Sequence, residues 1–160
     1  MVDDLGRPQQ SGVSHLGLSV TDLDRSISFY SDVLGARLVR PPFNGDRQPF
    51  SGRTAILMVG LTVLDLYEHA GNGGEKFEPA RTGLDHLAFV AASYEEVDAW
   101  ARWLDAQGVE RSDIRDLGGA GALFDFVDPD GIQIEFCFID QERLRQYSSA
   151  GGAVDGGEAN

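Results

Sequence analysis

The stretch FVDPDGIQIEFCF, residues 126–138, contains two apolar β-forming segments joined by a short polar turn. Its proline presets φ, and the glycine two residues later tolerates a positive φ, so DPDG predicts a tight β-turn between two strands. In the second strand, alternation places Glu135 on one face with Gln133 and Cys137, while the opposite face is apolar. A carboxylate on an otherwise apolar strand marks this face as a candidate site.

The composition of the 160-residue chain is that of a globular protein, with 42% hydrophobic and 24% charged residues. This length suffices for one domain, or for two small similar halves with a sizeable core. The net charge of −13 disfavours nucleic acid and anionic membranes as partners, because both repel an acidic protein. No apolar run approaches the roughly 20 residues that span a bilayer. A single cysteine and a polar, acidic N-terminus lead us to expect a cytoplasmic protein.

The order of predicted elements is βαβββ, and it occurs twice. Module one, residues 13–69, should contain strands at 13–20, near 36–40, at 54–59 and at 62–68. Its helix should begin after a Thr21 cap and end at Gly35. We expect an irregular loop over Pro41–Gly52, because three prolines interrupt it.

Module two, residues 83–140, follows a Gly-rich linker at 70–82. Ser93 and Glu96 form a capping box for its helix, which Gly108 should end. Its strands are expected at 84–90, at 123–127, at 132–138 and at one short segment before a Gly-rich loop. Residues 1–12 should be disordered, and 141–160 should hold a short helical piece and a disordered tail.

Equivalent positions of the two modules are separated by nearly equal offsets. His15 and His86 lie 71 positions apart, and Asp65 and Glu135 lie 70 apart. Such offsets indicate an internal repeat. The fold class predicted from these elements is α+β, built from two βαβββ modules.

A pseudo-twofold pairing of the modules would bring His15, His86, Asp65 and Glu135 to one point. A buried carboxylate costs several kcal/mol, and two together also repel each other. A divalent cation offsets both costs and accepts the lone pairs of neutral imidazoles. These residues therefore predict a metal site for Fe, Mn, Zn or Ni. Taken singly, each histidine also fits a hydrogen-bonded core residue, and each carboxylate fits a solvated side chain.

The segments VSHLGLSVTDLDRSISFYSDVLGARLV, LDHLAFV and FVDPDGIQIEF resemble the vicinal oxygen chelate superfamily, across about residues 13–138. That superfamily holds glyoxalase I, extradiol dioxygenases, fosfomycin-resistance enzymes and bleomycin-binding proteins. The resemblance implies a cupped mixed sheet with helices on its outer face, and a metal bound by His15, His86 and Glu135. A glutamate ligand of glyoxalase I-like enzymes corresponds to Asp65, which is one methylene shorter.

Departures from the family patterns bear on the substrate. The arginine and the asparagine that contact glutathione in glyoxalase I-like enzymes correspond to Ser19 and His69. This difference weakens the case for a glutathione thioester as the substrate. The extradiol pattern places a tyrosine where this chain has Asp125, and it requires a further histidine, but none follows His86. Asp125 is instead a candidate general base, or a residue that hydrogen-bonds a loop backbone.

These observations predict a metal-dependent enzyme that acts on a small substrate with two neighbouring oxygens. Proton transfer, as in an isomerase or lyase, is the preferred reaction, with Asp125 or Asp65 as the base. One alternative is an Fe(II)-dependent extradiol-type dioxygenase, and another is a non-catalytic drug- or metabolite-binding protein. A homodimer is expected, because each module presents a sheet that another must close.

Overall fold

The computed structural model describes residues 12–47 and 50–149. Residues 1–12 and the tail were expected to be disordered. Most of these positions lie outside the described ranges; Gly12 and the end of the last helix lie inside them. The chain divides into two compact units between Lys76 and Phe77, and each unit contains one predicted module. Among the described residues, no helix has the length and apolar character needed to cross a membrane.

Module one forms a four-stranded mixed sheet with one helix packed against it. Its elements are β1 (His15–Ser19), α1 (Leu23–Leu34), β2 (Arg37–Arg47), β3 (Phe50–Val59) and β4 (Thr62–His69). The strand order is β1-β4-β3-β2, with β1 parallel to β4 and the other pairs antiparallel. Buried residues of the helix and the sheet form the core, among them Leu23, Tyr30, Leu57, Leu64 and Leu66.

Module two repeats this arrangement. Its elements are β5 (His86–Val90), α2 (Tyr94–Ala106), β6 (Arg115–Asp116), β7 (Gly121–Val127) and β8 (Gln133–Ile139), followed by α3 (Gln141–Ser149). The strand order is β5-β8-β7-β6, and β5 is parallel to β8. Its core is aromatic: Trp100 of α2 stacks on Phe136 with ring centroids 4.1 Å apart. The predicted α+β class and the two βαβββ units are confirmed.

The prediction of an irregular loop over Pro41–Gly52 is wrong, because β2 runs through Pro41 and Pro42 and β3 begins at Phe50. β2 is an edge strand of its sheet, so only one side of it must supply ladder hydrogen bonds. The register also shifts between Arg40 and Phe43. Proline is tolerated at such an irregular edge, since the missing N–H leaves no ladder partner unsatisfied.

The cap of α1 is displaced by one residue from its predicted position. Asp22, not Thr21, has the extended backbone of an N-cap, and its Oδ1 accepts a hydrogen bond from the Arg25 N–H at 3.0 Å. Thr21 instead accepts from the Arg25 guanidinium. The predicted end at Gly35 is confirmed by a left-handed φ of 65°, and the Ser93 cap of α2 is confirmed by a bond from the Glu96 N–H.

Two glycines show the repeat in the backbone. Gly52 pairs with His69, and Gly121 pairs with Ile139, in each case four residues beyond the strand carboxylate. A Cβ at either glycine would overlap a carbonyl oxygen of the neighbouring strand. Both modules thus require a close backbone approach at the same point of the sheet.

Candidate metal centre

The helix-free face of each sheet, opposite its packed helix, carries the polar side chains. In module one, Leu64 and Leu66 are fully buried on the helix side, and Asp65 between them points the other way. In module two, Ile134 and Phe136 flank Glu135 in the same manner. Strand alternation therefore places both candidate carboxylates on the helix-free faces, and for Glu135 the apolar opposite face agrees with the alternation read from the sequence.

The two modules hold a histidine and a carboxylate in the same register. In module one, the β1 residue opposite Asp65 lies two positions after His15. In module two, the β5 residue opposite Glu135 lies two positions after His86. Residues two apart in a strand share a face, so each histidine lies on the face of its carboxylate. The internal repeat therefore extends to strand pairing.

In module one, the His15 ring is anchored at one nitrogen and faces a carboxylate with the other. The Nδ1 atom lies 2.8 Å from Ser14 Oγ, and Nε2 lies 3.9 Å from Asp65 Oδ2. In this pairing, a hydroxyl of the preceding residue fixes the orientation of the ring. The lone pair of Nε2 can then face a ligand on the helix-free face.

The His86 ring has the same arrangement with a stronger anchor. Its Nδ1 lies 2.7 Å from Asp85 Oδ1, and its Nε2 lies 3.6 Å from Glu135 Oε2. The hydrogen bond to Asp85 is the main cause of a raised pKa at His86, and the negative charge of Glu135 adds to it. A carboxylate on the outer nitrogen is the usual support of a metal-binding histidine.

The donor set and its spacing fit a metal ion. Both Nε2–oxygen distances are too long for a hydrogen bond. Two ligands that each lie about 2.0–2.2 Å from one metal are separated by about 3.0–3.5 Å. Side-chain movements of a few tenths of an ångström would therefore bring either pair into coordination range.

Glu135 is a buried carboxylate whose charge is poorly compensated. The residue is 8% exposed. Burial raises the pKa of Glu135, and a hydrogen bond with Asp125 raises it further, against the opposing effects of His86 and Arg115. A cation at Glu135 would favour the ionised form, which is the form that binds metals.

Asp125 lies directly opposite Glu135, on β7. Its Oδ2 accepts hydrogen bonds from Arg115 Nη2 at 2.6 Å and from Ser112 Oγ at 3.3 Å. Its Oδ1 accepts from Gln133 Nε2 at 3.3 Å. These carboxylate contacts are to side chains, whereas the sequence suggested a loop backbone as the alternative to catalysis.

Sequence reasoning missed Ser112 and Arg115 as members of this cluster. The signal for Arg115 was present, because a Gly-rich loop separates it from the β7 strand. A hairpin around that loop pairs Arg115 with Leu123, two residues before Asp125 on the same face. Ser112 precedes β6, and no local pattern marks it.

The two modules differ at the position that faces the carboxylate. Asp65 of module one lies opposite Ile56, where module two has Asp125 opposite Glu135. Among residues 12–47 and 50–149, no group of three or more His, Cys, Asp or Glu side chains is arranged to hold a metal. Each module by itself therefore supplies one histidine–carboxylate pair.

Module one also contains a polar cavity of about 530 Å³ beside the ends of β3 and β4. Arg53 lines it, and its guanidinium is 3.0 Å from both Asp24 carboxylate oxygens and 3.1 Å from Glu68 Oε2. The bond to Asp24 is the main cause of a raised pKa at Arg53. His69 also lines the cavity, and its ring stacks on Tyr67 with centroids 5.6 Å apart.

The sequence profile of the Glyoxalase/Bleomycin resistance protein/Dioxygenase superfamily matches residues 12–136. The chain belongs to this superfamily. A metallothiol transferase FosB of Staphylococcus epidermidis is 31% identical over 128 residues, covering 78% of this chain and 80% of that protein. A lactoylglutathione lyase of Haemophilus influenzae is 31% identical over 135 residues, covering 78% and 90%.

A solved structure of a glyoxylase/bleomycin resistance protein/dioxygenase domain from Frankia sp. EAN1pec has 32% identity to this chain. It aligns with a TM-score of 0.66 over 82% of this chain and 99% of that one. The resemblance that the sequence segments carried is thus confirmed as superfamily membership. The named relatives include a transferase and a lyase, so membership alone does not assign the reaction.

Proposed function

We propose that the protein is a metal-dependent enzyme that acts by proton transfer, as an isomerase or lyase, on a small substrate with two neighbouring oxygens. One observation carries the proposal: the histidine–carboxylate pair occurs twice, in the same register. In both copies the preceding residue holds Nδ1, and Nε2 faces a carboxylate oxygen. Such repetition is expected of ligands and not of isolated core histidines.

The proposed ligands of one divalent ion are His15, His86, Glu135 and Asp65. Iron, manganese, zinc and nickel all accept such a set of nitrogen and oxygen donors. When bound, the ion would act as a Lewis acid toward the two substrate oxygens. The protein's part is to fix the imidazoles through Ser14 and Asp85, which they contact directly.

Asp65 and Asp125 are the proposed bases, and their surroundings differ. Among the described residues, the Asp65 carboxylate has His15 as its polar neighbour, so a proton can reach it without breaking another bond. The Asp125 carboxylate already accepts bonds from Arg115, Ser112 and Gln133. Proton transfer to Asp125 therefore requires part of this cluster to open.

The test begins with metal analysis of protein purified without chelator. We expect about one divalent ion per chain, and a sharp loss of occupancy in His15→Ala, His86→Ala and Glu135→Ala. Glu142→Ala, an exposed carboxylate on α3, is the matched control. Full occupancy in the three ligand variants would overturn the proposal.

A variant of Asp65 distinguishes its two proposed roles, metal ligand and catalytic base. If Asp65→Asn keeps the metal but loses turnover, Asp65 is the base, whereas loss of the metal identifies it as a ligand. Substrates for the assay include α-hydroxyketones for isomerisation and catechols for ring cleavage. Iron together with catechol cleavage would replace the isomerase or lyase with the dioxygenase, and a metal-free protein would favour a binding role.

We further propose that the substrate is not a glutathione thioester. Ser19 and His69 stand at the positions expected to contact glutathione, and serine offers one neutral donor where arginine offers a charged fork. Arg53, a nearby cation, is already held by Asp24 and Glu68. The metal-loaded protein should turn over the hemithioacetal of methylglyoxal and glutathione at a kcat/KM below about 10⁴ M⁻¹s⁻¹. A higher value would restore a lactoylglutathione lyase activity.

A homodimer and a cytoplasmic location remain predictions. Members of the superfamily that the sequence resembles often pair modules across chains, and a closed twofold assembly is the commonest oligomer. Light scattering at micromolar concentration should give twice the chain mass of 17.3 kDa. A monomeric mass would contradict the dimer.

A further inference from the structure

Arg115 is an exposed cation beside the buried carboxylate of module two. It begins β6, an edge strand of the sheet, and its side chain is 57% exposed. Its Nη2 lies 2.6 Å from Asp125 Oδ2 and 3.8 Å from Glu135 Oε1. The guanidinium therefore spans two carboxylates on neighbouring strands.

Glu135 has a hydrogen bond with Asp125, and beyond that bond its two oxygens have different neighbours. Oε2 lies 3.6 Å from His86 Nε2, and Oε1 lies 3.8 Å from Arg115 Nη2. We propose that Arg115 is a positioning residue whose charge attracts Oε1, at ion-pair but not hydrogen-bond distance, and leaves Glu135 to bind the metal through Oε2 alone. This inference rests on the proposed function, in which Glu135 is a ligand.

The carboxylate that pairs with Arg115 is itself held by hydrogen bonds. Its partner Asp125 also accepts hydrogen bonds from Gln133 and from Ser112, and Ser112 Oγ accepts a bond from the Asp125 N–H at 2.9 Å. Two side chains thus hold the Asp125 carboxylate that pairs with the guanidinium, and a third hydrogen bond holds the Asp125 backbone. An arginine on a flexible stem needs such support to hold one oxygen of a neighbouring acid.

The described part of module one has no arginine in the position that Arg115 takes beside Glu135. Asp65 lies opposite Ile56, and no arginine is paired with Asp65 among the described residues. Arg53 lies three positions before Ile56 on β3, hence on the opposite face, and is paired with Asp24 and Glu68. The inferred restraint therefore distinguishes Glu135 from its counterpart in the repeat.

The restraint has two physical consequences. A carboxylate that binds through one oxygen occupies one coordination position, which leaves another for substrate. The positive charge of Arg115 also opposes a metal ion nearby, so metal affinity is lower than the carboxylates alone would give. Removing Arg115 should therefore tighten metal binding while allowing Glu135 to bind through both oxygens.

The experiment measures Mn(II) affinity by calorimetry and the carboxylate binding mode by infrared spectroscopy of protein labelled with ¹³C-glutamate. We expect Arg115→Gln to bind Mn(II) roughly tenfold more tightly, with a smaller separation of the two carboxylate stretching bands. Arg102→Gln on α2 is the control, because it removes the same charge from an exposed pair with Asp98. Arg115→Lys keeps the charge, and its affinity should stay within about threefold of the parent.

The outcomes separate this inference from the proposed function. If Glu135→Gln does not weaken Mn(II) binding, Glu135 is not a ligand and the proposed metal centre fails. If Glu135→Gln does weaken binding but Arg115→Gln matches Arg102→Gln in both measurements, only the role of Arg115 is overturned. Weaker Mn(II) binding by Arg115→Gln would also overturn it.

Discussion

Glu135→Gln should stabilise the metal-free protein and remove most of its stabilisation by metal. Glutamine preserves the size of the side chain and removes the charge. Glu135 is 8% exposed and lies directly opposite Asp125. Its removal eliminates a buried negative charge whose ionisation is disfavoured by burial and by that neighbour.

The size of the gain follows from the strand geometry. Directly opposed strand residues lie about 5 Å apart, and two like charges at that distance repel by about 3 kcal/mol at an effective dielectric constant of about 20. Arg115, at 2.6 Å from Asp125, offsets part of this repulsion. We therefore expect the unfolding free energy of the metal-free variant to rise by about 1–2 kcal/mol.

Bound metal should reverse the order of stability of the parent and Glu135→Gln. A metal at one hundred times its Kd stabilises the parent by about 2.7 kcal/mol. If Glu135→Gln weakens binding about a hundredfold, the same metal concentration stabilises the variant by only about 0.4 kcal/mol. The parent should then be the more stable protein by about 1 kcal/mol, which is a Tm difference of about 2–4 °C.

The assay is urea denaturation at pH 8, with chelator and then with Mn(II), on the parent, Glu135→Gln and Glu142→Gln. The control variant alters an exposed glutamate whose side chain is 72% exposed, so it should change neither measurement. A metal-free Glu135→Gln protein that is less stable than the parent, and that retains the full metal effect, would refute the reasoning.

Three further predictions concern the scaffold and its ionisation. Gly121→Ala should lower the unfolding free energy by about 2–4 kcal/mol in urea, because its Cβ would overlap a β8 carbonyl; Gly73→Ala, with open space around it, should change it by less than about 0.5 kcal/mol. Ser26→Ala should leave the unfolding free energy unchanged or raise it by up to about 1 kcal/mol, since the buried hydroxyl has no partner in the described part of the chain. A lower unfolding free energy would show that the hydroxyl does make a stabilising hydrogen bond. Metal-free stability should fall as pH rises from about 4.5 to 8. The folded state holds protons more tightly than the unfolded chain, because the pKa values of Glu135 and His86 are raised by burial and by Asp85, respectively. Urea midpoints that increase over that range would contradict this assignment.

The fold was largely predictable because its signals are local. Turn chemistry at DPDG, the Ser93 cap and strand alternation each depend on a few adjacent residues, and the structure contains all three. The strand through Pro41 and Pro42 was not predictable in this way. Its existence depends on an edge position and on register shifts, which are properties of the whole sheet.

The candidate site was predictable to the extent that it repeats. Nearly equal offsets identified His15, His86, Asp65 and Glu135, and the structure brings each histidine near the carboxylate of its own module. Their convergence on one metal remains a prediction. The Arg115 contact was missed although the Gly-rich loop indicated a hairpin with β7, because the contact also depends on the strand register and on a long, flexible side chain.

Parallel pairing joins the first and last strands within each module. β1 pairs with β4, and β5 pairs with β8, so both sheets are complete on their own sides of the linker. A protease that cuts between Gly73 and Lys76 would separate no paired strands. No strand ladder crosses the connecting peptide, so the strand pairing of each module is made entirely from that module's own residues.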